Sequence, residues 1–211
     1  KKVNYKELAE YIISGKIVGI IENDSEVGPR ALGNRSIVCD PRFLSMKDTL
    51  NSKVKFREWF RPFAPVAREV DCNKYFELNF GNYENYKFMS FAPIVKNEYK
   101  NILPSITHND GSSRLQIVKE KEESLFYKIL NEFEKINPDL PSVILNTSFN
   151  IKGKPILSSY EDAFEVLNTT ELDAVYSKGY LFEKWKIFLD RTFYVTHYTM
   201  IKIYGFVNTS I

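Results

Sequence analysis

The chain has 211 residues, of which 44% are hydrophobic and 15% aromatic, so it has enough apolar side chains for a core and is not a disordered protein. Its formal net charge is only +2, which argues against a general nucleic-acid binder. Two cysteines without a CxxC pair exclude a zinc ribbon and a disulfide framework, and no run of eighteen uncharged apolar residues predicts a membrane span. We expect a reduced, cytoplasmic protein.

The first half of the chain predicts few regular elements. Asn4, with Glu7 three residues later, predicts a helix cap, and Gly15 marks where that helix should end. Residues 17–21 are apolar and predict a short buried strand. Residues 40–75 are expected to mix loops and short helices, because the two prolines in Arg61-Pro62-Phe63-Ala64-Pro65 exclude a regular helix there.

The second half is more regular. It is predicted to contain an irregular Tyr/Asn-rich surface over 75–86, a helix over 124–136, a strand over 142–145, a helix that Ser158 or Ser159 caps and that runs through Leu167, and a strand over 173–182. Helices and strands alternate irregularly, so the fold class is α/β or α+β with a mixed sheet.

The domain organisation is predicted as one domain over residues 1–183 and a β-rich tail over 184–211. The tail contains two strand-like segments and no chemical motif, and its role stays open. The chain starts Lys1-Lys2-Val3 without an initiator methionine, which is typical of a fragment.

Two motifs carry the functional signal: residues 26–36, EVGPRALGNRS, and residues 145–155, LNTSFNIKGKP. Both combine cationic side chains with glycine, asparagine and small hydroxyls, which together suit the oxygens of a phosphorylated ligand. Residues 30–68 contain nine Lys or Arg and three Asp or Glu. Such a local positive field in a nearly neutral protein favours a small anionic ligand over a polymer.

These motifs, taken in order with Asp40-Pro41-Arg42, Arg61-Pro62-Phe63-Ala64-Pro65, His108-Asn109-Asp110-Gly111 and Arg114-Leu115-Gln116, resemble a known family. The family is the C-terminal domain of the O-carbamoyltransferases that modify nodulation factors, cephamycins and aminoglycosides. The resemblance runs from about residue 5 to residue 183.

The resemblance implies one half of a two-domain enzyme. An N-terminal actin-like domain, with a metal bound by histidines, would carry the acceptor site. The C-terminal domain would be a YrdC-like twisted mixed sheet, flanked by helices and with a concave anion-binding face. It would combine carbamoyl phosphate with Mg²⁺-ATP, both as substrates, into a carbamoyl-adenylate. This chain has only two histidines, so no transition-metal site is expected in it.

The resemblance also implies site residues. The wider YrdC-like group uses a Lys-x-Arg and a Ser-x-Asn pair, and this chain offers Lys55-Phe56-Arg57 and Ser148-Phe149-Asn150. In a strand, residues i and i+2 share a face, so each pair is expected to point into one pocket. The predicted catalytic cations are Lys55, Arg57, Arg30 and Arg35, the last two clamping one phosphate. The predicted substrate- or nucleotide-binding residues are Asn34, Ser36, Arg61, Arg114, Asn146, Thr147, Ser148 and Asn150.

Several points stay open at this level. Arg61 either contacts ligand or stiffens its loop, His108 fits a structural hydrogen bond better than acid–base catalysis, and Glu26 could order Arg30 or Arg35 through an ion pair. Many members of the family carry a Gly-Arg pair where this chain has Asn23-Asp24-Ser25. That departure, with the unusual tail, supports one alternative, a regulatory or assembly domain of the same fold that has lost catalysis. The basic segment over residues 30–68 supports another, a non-catalytic nucleotide- or RNA-binding module. The sequence does not identify the acceptor.

Overall fold

A computed structural model describes residues 1–78 and 83–184. The helices are α1 (Tyr5–Ile13), α2 (Met46–Thr49), α3 (Glu69–Tyr75), α4 (Asn97–Lys100), α5 (Leu125–Ile136) and α6 (Tyr160–Thr169). The strands are β1 (Val18–Ile21), β2 (Arg35–Cys39), β3 (Ala64–Arg68), β4 (Phe76–Glu77), β5 (Ile94–Val95), β6 (Gln116–Val118), β7 (Val143–Ser148), β8 (Ala174–Ser177) and β9 (Tyr180–Glu183). A π-helical turn, Leu50–Val54, continues α2, and 3₁₀ turns cover Tyr83–Tyr86 and Glu120–Glu122. None of the described helices is long and apolar enough to cross a bilayer.

Seven strands form one mixed sheet in the order β6-β3-β7-β2-β1-β8-β9. The β1–β8 and β3–β6 pairs are parallel, and the remaining neighbours are antiparallel. The strand β7 lies inside the sheet, with β2 on one side and β3 on the other. The sheet therefore brings both motifs and the Arg-Pro-Phe-Ala-Pro segment to adjacent strands.

Each face of the sheet carries its own hydrophobic cluster, because successive side chains of a strand point to opposite faces. On one face, Ile144 of β7 packs in a cluster with residues of α1 and α5, including Phe126. On the other face, Leu145 belongs to a cluster that includes residues of α2, the π-helical turn and α6. The sheet is thus covered on both sides, which is the predicted arrangement.

The helices predicted from local signals are present. At α1 the Asn4 side chain accepts from the backbone N–H of Glu7, and the Glu7 carboxylate accepts from that of Asn4, which completes a capping box. Ser124 caps α5, and of the two candidates Ser159 caps α6.

The expectation for residues 40–75 is wrong in part, since β3 occupies Ala64–Arg68. Pro65 is tolerated in this strand for a positional reason. The strand β6 pairs with β3 only from Val66 onward, so the proline lies where β3 has just one neighbour.

Two further expectations are corrected. Residues 75–86 are not simply irregular surface, because Tyr75 and Phe76 are buried and β4 pairs with β5. The single strand predicted over 173–182 is a hairpin of β8 and β9, closed by Lys178 and Gly179, whose φ angles of 46° and 83° suit a tight two-residue turn. Residues 185–211, with the two predicted tail strands, lie outside the described part of the chain.

Candidate functional site

An open cleft lies where the first motif, the loop before β3 and the end of β7 meet. It contains about 550 Å³ of empty space, part of it open to solvent. Its lining includes three arginines and a histidine but no carboxylate. The lining residues are Pro29, Arg30, Ala31, Arg57, Pro62, Phe63, Ala64, Met89, His108, Arg114, Asn146, Thr147 and Ser148. This composition suits an anionic ligand.

The first motif is a loop held in shape by Glu26. One of its carboxylate oxygens, Oε1, accepts from the backbone N–H groups of Leu32 and Asn34, both at 2.7 Å, and of Arg35 at 3.4 Å. The carboxylate therefore orders the backbone of the loop and does not pair with the side chain of Arg30 or Arg35, contrary to the sequence-based idea. Gly33 has a φ of 128°, a region that residues with a Cβ rarely occupy.

Lys55 stands at the end of the π-helical turn and is almost completely buried. Its Nζ donates to the Ser148 carbonyl at 2.6 Å and to Asn150 Oδ1 at 2.5 Å, and lies 3.3 Å from Ser148 Oγ. Burial, with a smaller effect from the nearby charge of Arg57, lowers the pKa of Lys55 from 10.5 to about 7. The ammonium thus lies directly behind Ser148, at the wall of the cleft.

Arg57 projects into the cleft. Its Nε donates to Asn51 Oδ1 at 2.8 Å, and its guanidinium lies 4.7 Å from the centre of the Phe63 ring. Its Nη2 is buried without a hydrogen-bond partner among the described residues. Burial, and next the charge of Arg61, lower the pKa of Arg57 to about 10. A guanidinium with one nitrogen anchored and another unpartnered is suited to an incoming anion.

The Lys-x-Arg segment does not lie in a strand, and this corrects the prediction. It follows the π-helical turn, and Phe56 adopts a left-handed φ of 50° between the two cations. The Ser-x-Asn pair also departs from a strand, since β7 ends at Ser148. The two pairs are still in contact, because each segment turns instead of continuing as a strand and Lys55 reaches Ser148 and Asn150.

The remaining predicted arginines separate into two groups. Arg30 and Arg114 line the cleft, and burial together with the charge of Arg30 lowers the pKa of Arg114. Arg35 is buried elsewhere: its Nη1 donates to the carbonyls of Glu22, Asn23 and Asn34 at 2.6, 3.1 and 2.9 Å. Arg61 is exposed and pairs with Glu58 at 2.9 Å. The structure therefore does not place Arg30 and Arg35 as two arms of one clamp.

The polar residues predicted to bind also differ in position. Asn146, Thr147 and Ser148 line the cleft. Asn150 stands behind them, where its Oδ1 accepts from Lys55 and from Ser148 Oγ. Ser36 is fully buried opposite Ser148 in the sheet, so it is outside the lining.

Asn34 is also outside the lining. Its backbone N–H donates to Glu26, and its carbonyl accepts from Arg35. The ring of Phe149 anchors the second motif by packing on β1, where a Cβ on Gly19 would lie 2.4 Å from it.

Three contributors were not predicted as site residues. His108 lines the cleft; its Nδ1 lies 3.1 Å from Ser112 Oγ, and burial, the largest influence, lowers its pKa. Asn51 is buried and, besides holding Arg57, donates to the Trp59 and Arg61 carbonyls at 3.1 and 3.0 Å. Phe63 supplies the aromatic face under Arg57. The Arg-Pro-Phe-Ala-Pro motif could have indicated Phe63, whereas nothing in the sequence distinguishes Asn51.

The charges of the site are arranged differently from those of the rest of the chain. Outside the cleft, Arg42 pairs with Asp40 and Arg68 pairs with Asp71, while the buried Arg35 donates to backbone carbonyls. Within residues 1–78 and 83–184, by contrast, no carboxylate forms an ion pair with any of the four cations at the cleft, which are Lys55, Arg57, Arg30 and Arg114. Lys55 is buried and Arg57 half-buried, and a desolvated cation is unfavourable unless an anion joins it, whereas Arg30 and Arg114 are exposed to solvent.

The described residues contain no group of three or more His, Cys, Asp or Glu side chains placed to hold a metal ion.

The fold has relatives among solved structures. HypF in a phosphate- and nucleotide-bound form matches 82% of this chain and 22% of its own with a TM-score of 0.53 and 20% identity. Sua5 from P. abyssi matches 83% of this chain and 50% of its own with a TM-score of 0.52 and 12% identity. These similarities show the fold and confirm the predicted YrdC-like mixed sheet.

Sequence comparison identifies closer relatives. The nodulation protein NolNO of Sinorhizobium fredii is 43% identical over 83% of this chain and 25% of its own length, and NolO of Bradyrhizobium diazoefficiens is 43% identical over 83% and 32%. The chain thus spans about a quarter to a third of the curated relatives it matches. The family model described as "Carbamoyltransferase C-terminus" matches residues 9–184. By its sequence, this chain belongs to the carbamoyltransferase C-terminal family.

Proposed function

We propose that this domain binds carbamoyl phosphate and Mg²⁺-ATP in the cleft and forms carbamoyl-adenylate. The carbamoyl group would then pass to an acceptor hydroxyl in an N-terminal actin-like domain of the whole protein. The observation that carries the proposal is the set of cleft cations without carboxylate partners, two of which, Lys55 and Arg57, are held in place by neutral groups. A small ligand with several phosphate oxygens would neutralise them.

The reaction would proceed in two balanced steps. Water cleaves carbamoyl phosphate to phosphate and bound carbamate. A carbamate oxygen then attacks the α-phosphorus of ATP, and the bond to pyrophosphate breaks. The protein would contribute positioning and charge stabilisation and no covalent nucleophile. Arg57 would donate through its unpartnered Nη2, Arg30 and Arg114 would contact the outer phosphates, and Lys55 would polarise the Ser148–Asn150 wall.

The test is carbamoyl-phosphate-dependent release of pyrophosphate from Mg²⁺-ATP by the 211-residue chain. Arg57→Ala should abolish release and nucleotide binding while the fold is retained. Lys53→Ala is the matched control: it also removes one positive charge, but Lys53 is exposed and pairs with Glu171 at 3.1 Å outside the cleft. Equal loss in both variants would refute a specific role for Arg57.

The departure at Asn23-Asp24-Ser25 gives weight to the alternative of a non-catalytic nucleotide-binding or regulatory module. Arg57-dependent binding measured by calorimetry, without pyrophosphate release, would favour this alternative. Affinity for RNA with a steep salt dependence, and none for ATP, would favour a nucleic-acid module.

A further inference from the structure

Asn146 differs from the other polar residues of the cleft because it offers an acceptor where its neighbours offer donors. Its side chain is almost entirely buried near the end of β7, and its Nδ2 donates to the Ala31 carbonyl at 2.9 Å and to Gln116 Oε1 at 2.8 Å. Both amide hydrogens are therefore used. Its Oδ1 is buried and has no hydrogen-bond partner among the described residues.

The orientation of this amide follows from the backbone groups around it. The carbonyl of Ala31 can only accept, so the Asn146 atom that faces it must be the nitrogen. The same reasoning fixes Gln116, whose Nε2 donates to the Leu32 carbonyl at 3.1 Å and whose Oε1 is thereby turned toward Asn146. Two carbonyls of the first motif thus determine the direction of the Asn146 oxygen.

An unpartnered acceptor is unfavourable in a buried position, because its loss of water is not offset. A purely structural role would account for the two hydrogen bonds that Asn146 donates, but not for its unpartnered oxygen. We propose that Asn146 Oδ1 accepts a hydrogen bond from the NH₂ group of the carbamoyl substrate, and that it thereby selects a carbamoyl phosphate over an acyl phosphate. This inference rests on the proposed function and names the residue that reads the substrate's amide.

The cations near Asn146 indicate that the group donating to its Oδ1 belongs to the same ligand as the phosphate that these cations would bind. Asn146 is two residues from Ser148, which Lys55 contacts, and it shares the cleft lining with Arg57. Carbamoyl phosphate carries an NH₂ donor and a phosphate within a few bonds of each other. The oxygen has almost no accessible surface in the free chain, so the proposal requires a side chain of the cleft wall to move aside when the ligand binds.

The experiment compares two stable phosphonates of equal size by calorimetry with the full 211-residue chain. Phosphonoacetamide carries the NH₂ group, and 2-oxopropylphosphonate carries a methyl group in its place. The wild-type chain should bind the amide at least about tenfold more tightly, because the ketone leaves a buried acceptor unpaired. Asn146→Ala should bring the ratio close to one and leave affinity for inorganic phosphate nearly unchanged.

Asn150→Ala is the matched control, since it removes another asparagine amide near Lys55. It should weaken both phosphonates alike and keep their ratio. If Asn146→Ala does not fold, the side-chain NH₂ resonances of Asn146 in the wild-type chain provide the second measurement. They should shift with phosphonoacetamide and not with the ketone.

Each other outcome has a distinct meaning. Equal wild-type affinity for the two phosphonates, or a ratio that survives Asn146→Ala, overturns this inference and leaves the proposed function standing. Failure to bind either phosphonate or inorganic phosphate overturns both. The adenine amino group is a second possible donor: if Asn146→Ala weakens ATP but not purine riboside triphosphate, which lacks that group, the assignment to the carbamoyl group is wrong.

Discussion

Ligand binding to this domain should take up a proton when the pH is above neutral. In the free chain, burial holds the pKa of Lys55 at about 7, so at pH 8 only about 0.1 of the molecules carry the charge. A phosphate group bound in the cleft, on the far side of Ser148, favours the ammonium and is expected to raise its pKa toward the ordinary 10.5. The bound lysine is then almost fully charged at pH 8.

The expected uptake follows from these fractions. It is about 0.9 proton per ligand at pH 8 and about 0.1 at pH 6, where the free lysine is already charged. Calorimetry of phosphonoacetamide binding in buffers with different ionisation enthalpies measures the uptake as the slope of the apparent enthalpy. Lys55→Met serves as the control, because the part of the slope due to this group should disappear. Identical slopes for the two chains at pH 8 would refute the reasoning.

Three further predictions concern stability and the shape of the cleft. The free energy of unfolding of the wild-type chain, relative to Lys55→Met, should rise between pH 7 and pH 10 by up to about 1.4 kcal/mol per pH unit. The reason is that the unfolded lysine keeps a proton that the folded one has released. Urea titrations across this range measure the effect; a difference in unfolding free energy between the two chains that does not change with pH would show that the pKa is not lowered. Asn51→Ala should lower stability by about 1–3 kcal/mol and weaken phosphate binding, because it leaves two carbonyls unpaired and frees Arg57; unchanged affinity would contradict the second part. Gly33→Ala should lower the thermal stability more than Gly28→Ala. Both glycines have a positive φ, but only a Cβ on Gly33 would lie 3.3 Å from the ring of Phe126 in α5. Equal losses of stability would rule out that contact as the cause.

Elements with local signals could be predicted from the sequence. The helices α1, α5 and α6 have a capping side chain and an apolar stripe within a few residues, so their existence and ends follow from nearby chemistry. The strands β2 and β3 were not predicted, because arginine, serine and proline conceal their apolar pattern. Their burial comes from neighbours that are remote in sequence, which a local reading does not include.

The site could be predicted only in part, because motifs are visible in the sequence but contacts between remote residues are not. The meeting of the Lys-x-Arg and Ser-x-Asn pairs was inferred from motifs, although the strand geometry assumed for them was wrong. Arg30 and Arg35 look equivalent in the sequence. In the structure, Arg30 lines the cleft, whereas Arg35 donates to three backbone carbonyls and connects loops. Asn51 acts through bonds to a loop that folds back on it, so its role depends on tertiary structure.

The position of β7 between β2 and β3 has a consequence for how the domain folds. Its partners β2 and β3 belong to the first half of the chain, so its pairings are non-local and loop closure must precede them. Residues of the cleft come from both sides of these pairings, so the cleft is complete only when β7 stands between its neighbours. A ligand that recognises the finished cleft slows unfolding more than it speeds folding. During synthesis, the first half of the chain therefore cannot complete the cleft before β7 has been made.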